Sequence, residues 1–557
     1  MLQKEQDRYV EEVAVHDEYT PWPLDVAELY QREGYWTGET LGELPTKWAN
    51  EFGDRTAIVG DGRALTYREL DTHSTQLAQG FLACGINSGD TVVVHLPNII
   101  EFFEVLFGLF KTGAIPVLVP PAYRKSEITY FCHFTGAVAY VVTDKHDGFD
   151  FGPLSARVYE GVPTLRHVIV AGEAGPFTSL DAVRVASGTS DDIPKYVKPE
   201  NVALLHLSGG TTGTPKLVPR THNDYLYAAR ASAEVCGFTA ATAYLCCLPS
   251  AHLFPLGAPG ALGTFLVGGR VVLASNPTPE VTFPLIEREH VTVTALVPPL
   301  VNLWLEAAHR TRMDLSSLRL LQVGGAKLLP QLARLVGPTL GCLVQQVFGM
   351  TEGQLNFTRL DDSDEAVCTT QGRPLSPRDE IRLIDDDGNH VAPGEPGHLL
   401  VRGPTTIRGY YRAAEYNAQT FTADGFYRTG DIVQKTPTGH LVVVGRAKDQ
   451  INRGGVKIAA EEVENHLLAH PDVSEAAVVA MPDQFLGERI CAFIVASNRD
   501  VGRADVMTFI RGRGIASHKV PDCIEFIDEL PRTALGKISK KDLRSRAAIM
   551  AAEIEEA

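Results

Sequence analysis

The ten residues Leu207–Lys216 (LSGGTTGTPK) combine residue types that can bind phosphate. Glycines let the backbone turn tightly and approach a bulky ligand, while free N–H groups, hydroxyls and a lysine can solvate phosphate oxygens. The apolar run Val202–Leu207 before them predicts a buried strand, which would give the loop a fixed base. The order Thr214-Pro215-Lys216 differs from a Walker A loop, in which glycine and lysine are followed directly by Ser or Thr. We predict a phosphate-binding loop; a flexible surface loop is the alternative for this composition.

Three further stretches carry groups suited to nucleotide chemistry. Gly349-Met350-Thr351-Glu352 follows the apolar run Leu343–Phe348 and ends in a carboxylate. A helix N-terminus with a favourable glutamate explains the same letters equally well. Tyr427–Asp431 offers a further carboxylate, or it is a simple β-turn. Lys537 follows Gly536 near the end of an acidic chain, where most lysines are only solvated.

The composition sets limits on partners and compartment. The chain has 557 residues, 44% of them hydrophobic and 21% charged, which is ordinary for a globular protein of two or more domains. A net charge of −17 argues against nucleic acid as a partner. We expect no secretory signal and no membrane span, because the start is charged and the apolar region Val92–Val119 is interrupted by charged residues and prolines. Nine cysteines without a Cys-x-x-Cys spacing fit a reduced cytoplasm.

Alternating strand and helix patterns must position these groups. Helical periodicity over Tyr67–Cys84 and Ile100–Phe110 lies between buried apolar runs, an order that predicts a parallel sheet with right-handed crossovers. The predicted strands include Thr91–His95, Ile115–Leu118, Ala139–Val142, His167–Val170, Val202–Leu207, Tyr244–Leu248, Arg270–Leu273, Val293–Val297, Leu320–Val323 and Leu343–Phe348. We predict an α/β fold class with a large N-terminal domain of layered α/β sheets.

The pattern of apolar runs and turn residues changes after about Gly372. Glu380–Ile384, Gly397–Val401 and His440–Val444 are short strands separated by turns, which predicts a small β subdomain. The polar strip Gly445–Asp449 is a plausible linker, and beyond it helix and strand patterns alternate again. We therefore predict an N-terminal domain over 1–447 and a smaller, mobile α+β domain over 448–557.

Taken together and in this order, the motifs resemble those of the adenylate-forming superfamily, which includes acyl-CoA synthetases, luciferases and the adenylation domains of nonribosomal peptide synthesis. The resemblance spans nearly the whole chain. It rests on LSGGTTGTPK, Gly324–Lys327 (GGAK), Val347–Glu352, Tyr427–Asp431 (YRTGD), the stretch KDQINRGGVK from Lys448, and Pro531–Lys537 (PRTALGK).

The resemblance implies a role for each matching position. The implied cofactors are ATP and Mg²⁺, with Glu352 at the metal and a phosphopantetheine thiol as acceptor. Lys537 would meet the carboxylate and the α-phosphate during adenylation, His252 would act at the mouth of the acid pocket, and Lys448 would be the hinge between domains. The implied nucleotide-binding residues are Ser208, Gly209, Gly210, Thr211, Thr212, Gly213, Lys216, Gly325, Ala326, Val347, Phe348, Gly349, Thr351, Asp431 and Arg446.

The segment from Leu248 to Gly260 (LPSAHLFPLGAPG) resembles the stand-alone aryl acid–AMP ligases, of the 2,3-dihydroxybenzoate and salicylate type, that serve siderophore and related peptide assembly. The implied acid pocket comprises His252, Leu253, Phe254, Ala258, Gly324 and Leu355. Amino-acid-activating domains have Asp at the position of Leu253, so an α-amino acid is not expected. For Leu253 and Phe254 plain core packing, and for His252 a satisfied core histidine, are the structural alternatives.

Typical dihydroxybenzoate ligases have Asn and Ser at the positions of Leu253 and Ala258. Because these two side chains cannot donate hydrogen bonds, we expect an aromatic acid other than 2,3-dihydroxybenzoate. Salicylate, a benzoate, an aminobenzoate and a heteroaromatic acid stay open. An aryl carrier protein is the expected partner; an aryl-CoA ligase using free coenzyme A, and a nucleotide-binding interaction module without catalysis, are the alternative functions.

Overall fold

A computed structural model describes residues 19–185, 193, 197–208, 216–453, 456–483, 486–498, 500–513, 515, 517–533 and 536–556. The strands are β1 Thr56–Gly60, β2 Arg63–Thr66, β3 Thr91–His95, β4 Ile115–Leu118, β5 Ala139–Thr143, β6 Lys145–His146, β7 Phe149–Asp150, β8 His167–Ala171, β9 Thr178–Ser179, β10 Val202–Leu207, β11 Leu217–Thr221, β12 Ala243–Cys246, β13 Arg270–Leu273, β14 Val293–Leu296, β15 Leu320–Gly324, β16 Leu343–Gly349, β17 Leu355–Phe357, β18 Arg373–Pro374, β19 Glu380–Ile384, β20 Gly397–Arg402, β21 Tyr427–Lys435, β22 Leu441–Arg446, β23 Gln450–Arg453, β24 Val456–Ala459, β25 Val473–Asp483, β26 Gly487–Ala496 and β27 Cys523–Phe526.

The helices are α1 Leu24–Arg32, α2 Leu44–Phe52, α3 Tyr67–Ala83, α4 Ile100–Thr112, α5 Lys125–Thr135, α6 Gly152–Gly161, α7 Leu180–Val185, α8 His222–Val235, α9 Leu253–Gly257, α10 Gly260–Leu266, α11 Pro279–Glu289, α12 Pro298–Ala308, α13 Pro330–Leu340, α14 Asp364–Thr369, α15 Ala414–Thr420, α16 Ala460–Leu467, α17 Arg503–Gly512 and α18 Lys540–Glu556. Short 3₁₀ turns cover Ala447–Asp449 and Ser517–Lys519. In the part of the chain that the structure describes, no helix has the length and apolar character required to cross a membrane.

Two large sheets carry the N-terminal part of the chain. One has nine strands in the order β18-β17-β16-β15-β14-β12-β13-β1-β2, and the other has seven in the order β11-β10-β4-β3-β5-β8-β9. Most neighbours are parallel, and strands such as β3 and β10 are buried along their whole length, as expected where both faces of a sheet are covered. The predicted α/β class is confirmed. Some edges differ from an all-parallel sheet, since β10 pairs antiparallel with β11, and β16 with β17.

Local signals place the helix ends next to these strands. Helix α3 begins with a capping box in which Thr66 and Glu69 bond to each other's backbone N–H groups. Helix α4 ends at Gly113, whose φ of 76° is the left-handed conformation that glycine adopts at low cost. Both helices pack against the core between the sheets through Leu77, Phe81 and Phe107. These rigid elements fix the strand ends from which the candidate site is built.

Two smaller sheets follow. One has four strands in the order β19-β20-β21-β22, and the other has β24-β23-β26-β25 with β27 beside β26. The described residues divide into two compact units, the first within 19–208, 216–380 and 401–427, and the second within 381–400 and 428–556. The second unit has cores of its own, one around Ile451, Val463 and Ile494 and another around Phe493 and Leu543. The domain boundary at 447/448 stays a prediction.

Candidate active site

The two ends of the predicted phosphate loop are tied together. The Ser208 N–H donates to the Lys216 carbonyl at 2.8 Å, and the Lys216 N–H donates to Ser208 Oγ at 3.0 Å. The Lys216 ammonium lies 3.7 Å from the centroid of the Tyr416 ring, a cation–π arrangement. The predicted loop residues Gly209, Gly210, Thr211, Thr212 and Gly213 lie outside the described residues.

Glu352 lies in a turn that follows β16. Residues 350–353 form this turn without entering a helix, so the alternative of a helix N-terminus is wrong. The carboxylate is buried at 6% exposure, and Tyr410 donates a hydrogen bond of 2.6 Å to its Oε1. The Ile407 N–H also donates to the Glu352 carbonyl at 2.9 Å. The turn is therefore held from both its backbone and its side chain.

Arg220, on β11, braces the neighbouring residue Thr351. Its guanidinium is fully buried, pairs with Asp224 at 2.5 Å and donates to the Thr351 carbonyl at 3.1 Å. Burial raises the pKa of the Asp224 carboxyl, and the charge of Arg220 opposes that rise. Thr351 is thus attached to the strand that leaves the phosphate loop.

Asp431 and Arg446 face each other on paired strands β21 and β22. Arg446 Nε lies 2.8 Å from Asp431 Oδ1, and the Asp431 carboxyl is 2% exposed. Because Tyr427–Asp431 lies within a strand, the β-turn alternative is wrong. Among the described residues Asp431 Oδ2 has no hydrogen-bond partner, a buried acceptor that fits the hydroxyl of a ribose. Burial raises the pKa of Asp431, against the opposing charges of Arg446 and Lys537.

The predicted acid-pocket residues come from three strand ends of the nine-stranded sheet. Leu253, Ala258 and Leu355 are buried, Phe254 is partly buried, and His252 precedes helix α9. A Cβ atom at Gly324 would lie 3.0 Å from the Phe254 ring.

A Cβ atom at Gly349 would meet Leu355 at 2.6 Å. Gly324 therefore lies against Phe254, and Gly349 lies against Leu355, two of the predicted pocket residues. Leu253, Ala258 and Leu355 also belong to the main hydrophobic core, so their role as pocket walls stays a prediction.

Asn98 is a residue of this region that the sequence interpretation missed. Its amide, after the end of β3, donates to the carbonyls of Cys246, Leu248 and Ala274 at 3.0–3.1 Å. Its Oδ1 accepts from the N–H and hydroxyl of Ser250 at 2.8 and 2.9 Å. The signal was an amide directly after a buried strand, at the edge where parallel strand ends meet. Tyr410 and Arg220 were missed as well, because their partners are far away along the chain.

The remaining predicted positions lie at strand ends or in turns and loops. Gly325 has a φ of 81° and follows β15 with exposed Ala326, while Val347, Phe348 and Gly349 end β16. Lys448 lies in the 3₁₀ turn Ala447–Asp449. Lys537 is exposed and follows Gly536, whose φ is 75°.

The residues present fit a magnesium ion of the kind that accompanies a nucleotide. Among the described residues no group of three or more His, Cys, Asp or Glu side chains could hold a metal by itself. Glu352 supplies one buried carboxylate, which is the contribution expected when phosphates and waters complete the shell.

Comparison with known proteins agrees with these motifs. Residues 45–411 match the AMP-binding enzyme family, and residues 462–537 match the AMP-binding enzyme C-terminal domain. The chain is 55% identical over 526 residues to the 2,3-dihydroxybenzoate-AMP ligase of Bacillus subtilis (strain 168), covering 94% of this chain and 97% of that protein. It is 46% identical over 528 residues to the salicyl-AMP ligase / salicyl-S-ArCP synthetase of Mycobacterium tuberculosis (strain ATCC 25618 / H37Rv), covering 94% and 93%.

A solved structure shows the same architecture. The anthranilate CoA ligase AuaEII in complex with anthranoyl-AMP superposes with a TM-score of 0.84 at 26% identity, over 92% of this chain and 98% of that one. The predicted resemblance to adenylate-forming enzymes is confirmed by these matches, and use of ATP follows from the family. The chain therefore belongs to the AMP-binding enzyme family.

Proposed function

We propose that this protein activates an aromatic carboxylic acid with ATP and transfers the acyl group to the phosphopantetheine thiol of an aryl carrier protein. The observation that supports this most directly is the apolar and largely buried segment Leu253–Ala258, whose Phe254 ring packs against Gly324 of an AMP-binding enzyme. Relatives at 46–55% identity are named for 2,3-dihydroxybenzoate and salicylate, both aromatic acids.

The reaction proceeds in two steps. A carboxylate oxygen of the acid attacks the α-phosphorus of ATP, the bond to pyrophosphate breaks, and an aryl-adenylate forms. The pantetheine sulfur then attacks the acyl carbon, its proton is released, the bond to AMP breaks, and a thioester remains. Activation is needed because an oxide is a poor leaving group, whereas AMP is a good one.

The site residues have matching roles in this proposal. Ser208, Lys216 and Thr351 contact phosphate oxygens, and Asp431 accepts the ribose hydroxyls. Lys537 places its ammonium against the α-phosphate as negative charge develops, which is the kind of interaction that stabilises a transition state most. Glu352 would hold Mg²⁺, which when bound neutralises phosphate charge. Positions 209–213 complete the phosphate loop, 448–557 form the mobile domain and Lys448 is its hinge.

The pocket composition narrows the choice of acid. No carboxylate stands at Leu253 to pair an α-ammonium group, so an α-amino acid would bury an unpaired charge. Leu253 and Ala258 offer no donor to ring hydroxyls, so a 2,3-diol would lose its hydrogen bonds to water without replacement. Salicylate, a benzoate, an aminobenzoate or a heteroaromatic acid satisfies the pocket better.

Free coenzyme A is the alternative acceptor. It is favoured by the fold similarity to AuaEII, which is named as a CoA ligase. The name of the mycobacterial relative, a salicyl-S-ArCP synthetase, favours a carrier protein instead. We place the reaction in the cytoplasm, where the nine free cysteines would stay reduced.

The test is ATP–pyrophosphate exchange across a panel of aromatic, aliphatic and α-amino acids. We expect exchange with one or a few aromatic acids and little with 2,3-dihydroxybenzoate. Thioester formation with free coenzyme A and with an aryl carrier protein, measured by mass spectrometry, then separates the two acceptors. Exchange confined to aliphatic or amino acids would overturn the proposal.

A further inference from the structure

A buried histidine contacts the backbone of the acid-pocket segment, which is the stretch Leu248–Gly260. His206 lies on β10, two residues before Ser208, and is 1% exposed. Its Nδ1 lies 3.1 Å from the carbonyl oxygen of Ala251, the residue that precedes His252. One ring therefore connects the strand that enters the phosphate loop with the start of the acid-pocket segment.

The partners of His206 define a single tautomer. A carbonyl oxygen can only accept, so Nδ1 must carry the proton and donate to Ala251. Nε2 of the neutral ring is then an acceptor, and the Tyr225 hydroxyl, at 2.9 Å, donates to it. Burial lowers the pKa of His206 far below its usual value, and the charges of Arg220 and His252 act in the same direction. The ring stays neutral, with both nitrogens satisfied.

Tyr225 extends the connection to the other end of helix α9. The ring atoms around its hydroxyl would lie 2.7–3.0 Å from a Cβ atom at Gly257, so the phenol packs directly against that backbone. Tyr225 is itself buried at 1% exposure. The pair His206–Tyr225 thus contacts the segment before its first predicted pocket residue and again near its last.

We propose, on the basis of the function proposed above, that His206 is a positioning residue that holds the acid-pocket segment in register with the end of β10, where Ser208 lies. Through the carbonyl of Ala251 and through Tyr225 it sets the distance between the acid carboxylate and the α-phosphate. A misplacement of about 1 Å at a reacting pair can cost on the order of 100-fold in rate.

Three variants test this arrangement in the exchange assay. His206→Phe keeps an aromatic ring but removes both hydrogen bonds, and we expect kcat to fall by about tenfold to 100-fold, the KM for the acid to rise and the KM for ATP to stay within about twofold. His206→Gln can donate to Ala251 through its amide and accept from Tyr225, so it should recover kcat to within about threefold. Tyr225→Phe removes only the donor to Nε2 and should lower kcat by about threefold to tenfold.

His222 supplies a matched control. It is 1% exposed, and its Nδ1 accepts from the Leu41 N–H at 3.0 Å, away from the acid-pocket segment. His222→Phe should lower the melting temperature as much as His206→Phe does while leaving kcat and both KM values near those of the unchanged protein.

Five outcomes decide the proposal. It stands if His206→Phe lowers kcat and His206→Gln restores it. It is overturned if His206→Phe only lowers the melting temperature, or if His206→Gln is as impaired as His206→Phe. Should His206→Phe not fold, an unchanged kcat in Tyr225→Phe overturns it and a lowered kcat supports it. The unchanged protein tests the proposed function separately. If it exchanges only with a non-aromatic acid, the proposed function is wrong. The role of His206 can still be tested by comparing the variants with that acid as substrate.

Discussion

The acid-pocket segment and the nucleotide-binding positions are built on opposite principles. Around Leu253 and Ala258 the side chains are apolar, and the polar groups of Asn98 and His206 bind the backbone from outside. Glu352 and Asp431 instead bury carboxylates, and one oxygen of Asp431 has no hydrogen-bond partner among the described residues. We therefore expect the acid to be selected by the shape of its pocket, and the nucleotide to be bound by charged groups whose burial lowers the stability of the protein.

The strongest test of this contrast is removal of the proposed catalytic ammonium. Lys537→Ala should lower aryl-adenylate formation by about 100-fold to 1,000-fold, because charge on the α-phosphate loses its partner. Transfer to the thiol from a preformed aryl-adenylate should be almost unaffected. Lys541→Ala, which removes another exposed lysine near the same end of the chain, is the control. Normal adenylation in Lys537→Ala would take that residue out of the chemistry.

Asp431→Asn tests whether the buried carboxylate favours ATP binding while it lowers the stability of the protein. We expect the KM for ATP to rise by about tenfold or more, because an amide offers one acceptor oxygen to the ribose hydroxyls where the carboxylate offers two. Burial in the folded state raises the pKa of Asp431 above its value in the unfolded chain. As the pH rises, the unfolded chain therefore loses this proton before the folded protein does. Above the pKa of the folded state, the buried carboxylate thus lowers the free energy of unfolding. The Asn variant lacks that penalty, and its melting temperature without nucleotide should exceed that of the unchanged protein at pH 7 but not at acidic pH. A lower melting temperature at pH 7 would contradict this view of Asp431.

Tyr410→Phe keeps the ring but removes the hydrogen bond to Glu352 and the 3.0 Å contact between the Tyr410 and Tyr427 hydroxyls. We expect the Mg²⁺ concentration needed for half-maximal exchange to rise by about threefold to tenfold, since an oriented carboxylate is a better ligand. Tyr227→Phe, which removes another buried phenol bonded to Ser376, should leave that concentration unchanged. Equal Mg²⁺ dependence in both variants would show that Tyr410 does not orient Glu352.

Leu253→Asn tests the apolar acid pocket, and we expect it to have the smallest effect of these variants. An amide at this position can bond a ring hydroxyl, so the kcat/KM ratio of ortho-hydroxylated to unsubstituted aromatic acids should rise by about threefold to tenfold. The same panel of acids measures it, with Leu256→Met, a neighbouring volume-conserving change, as the control. An unaltered ranking would place the acid pocket elsewhere.

The sequence predicted the regular elements closely because strands and helices have local signals. The runs at Thr91–His95 and Arg270–Leu273 are found at the predicted bounds, and Ile100–Phe110 extends by one half turn to its glycine cap. The predicted strand Tyr244–Leu248 ends earlier, at Cys246, because the carbonyls of Cys246 and Leu248 bond Asn98.

Side-chain pairs between distant positions could not be predicted in the same way. Glu352 with Tyr410, Thr351 with Arg220 and Ala251 with His206 are each joined only by the folded sheets. Motif resemblance named the residues that are predicted to contact the substrates, but it contained no information on the side chains that position those residues. The roles of the named residues remain predictions until the variants above are measured.

The pairing of β1 with β13 has a consequence for how the chain acquires its fold. Ile58 of β1 lies beside Val271 of β13. The β1–β2 hairpin is therefore synthesised roughly two hundred residues before the strand that pairs with β1. Until then its edge is an open template for other strands, and such edges favour aggregation. Slow translation or a chaperone that covers this hairpin should therefore raise the yield of native enzyme, whereas a split of the gene between the two strands should require both fragments to be made together.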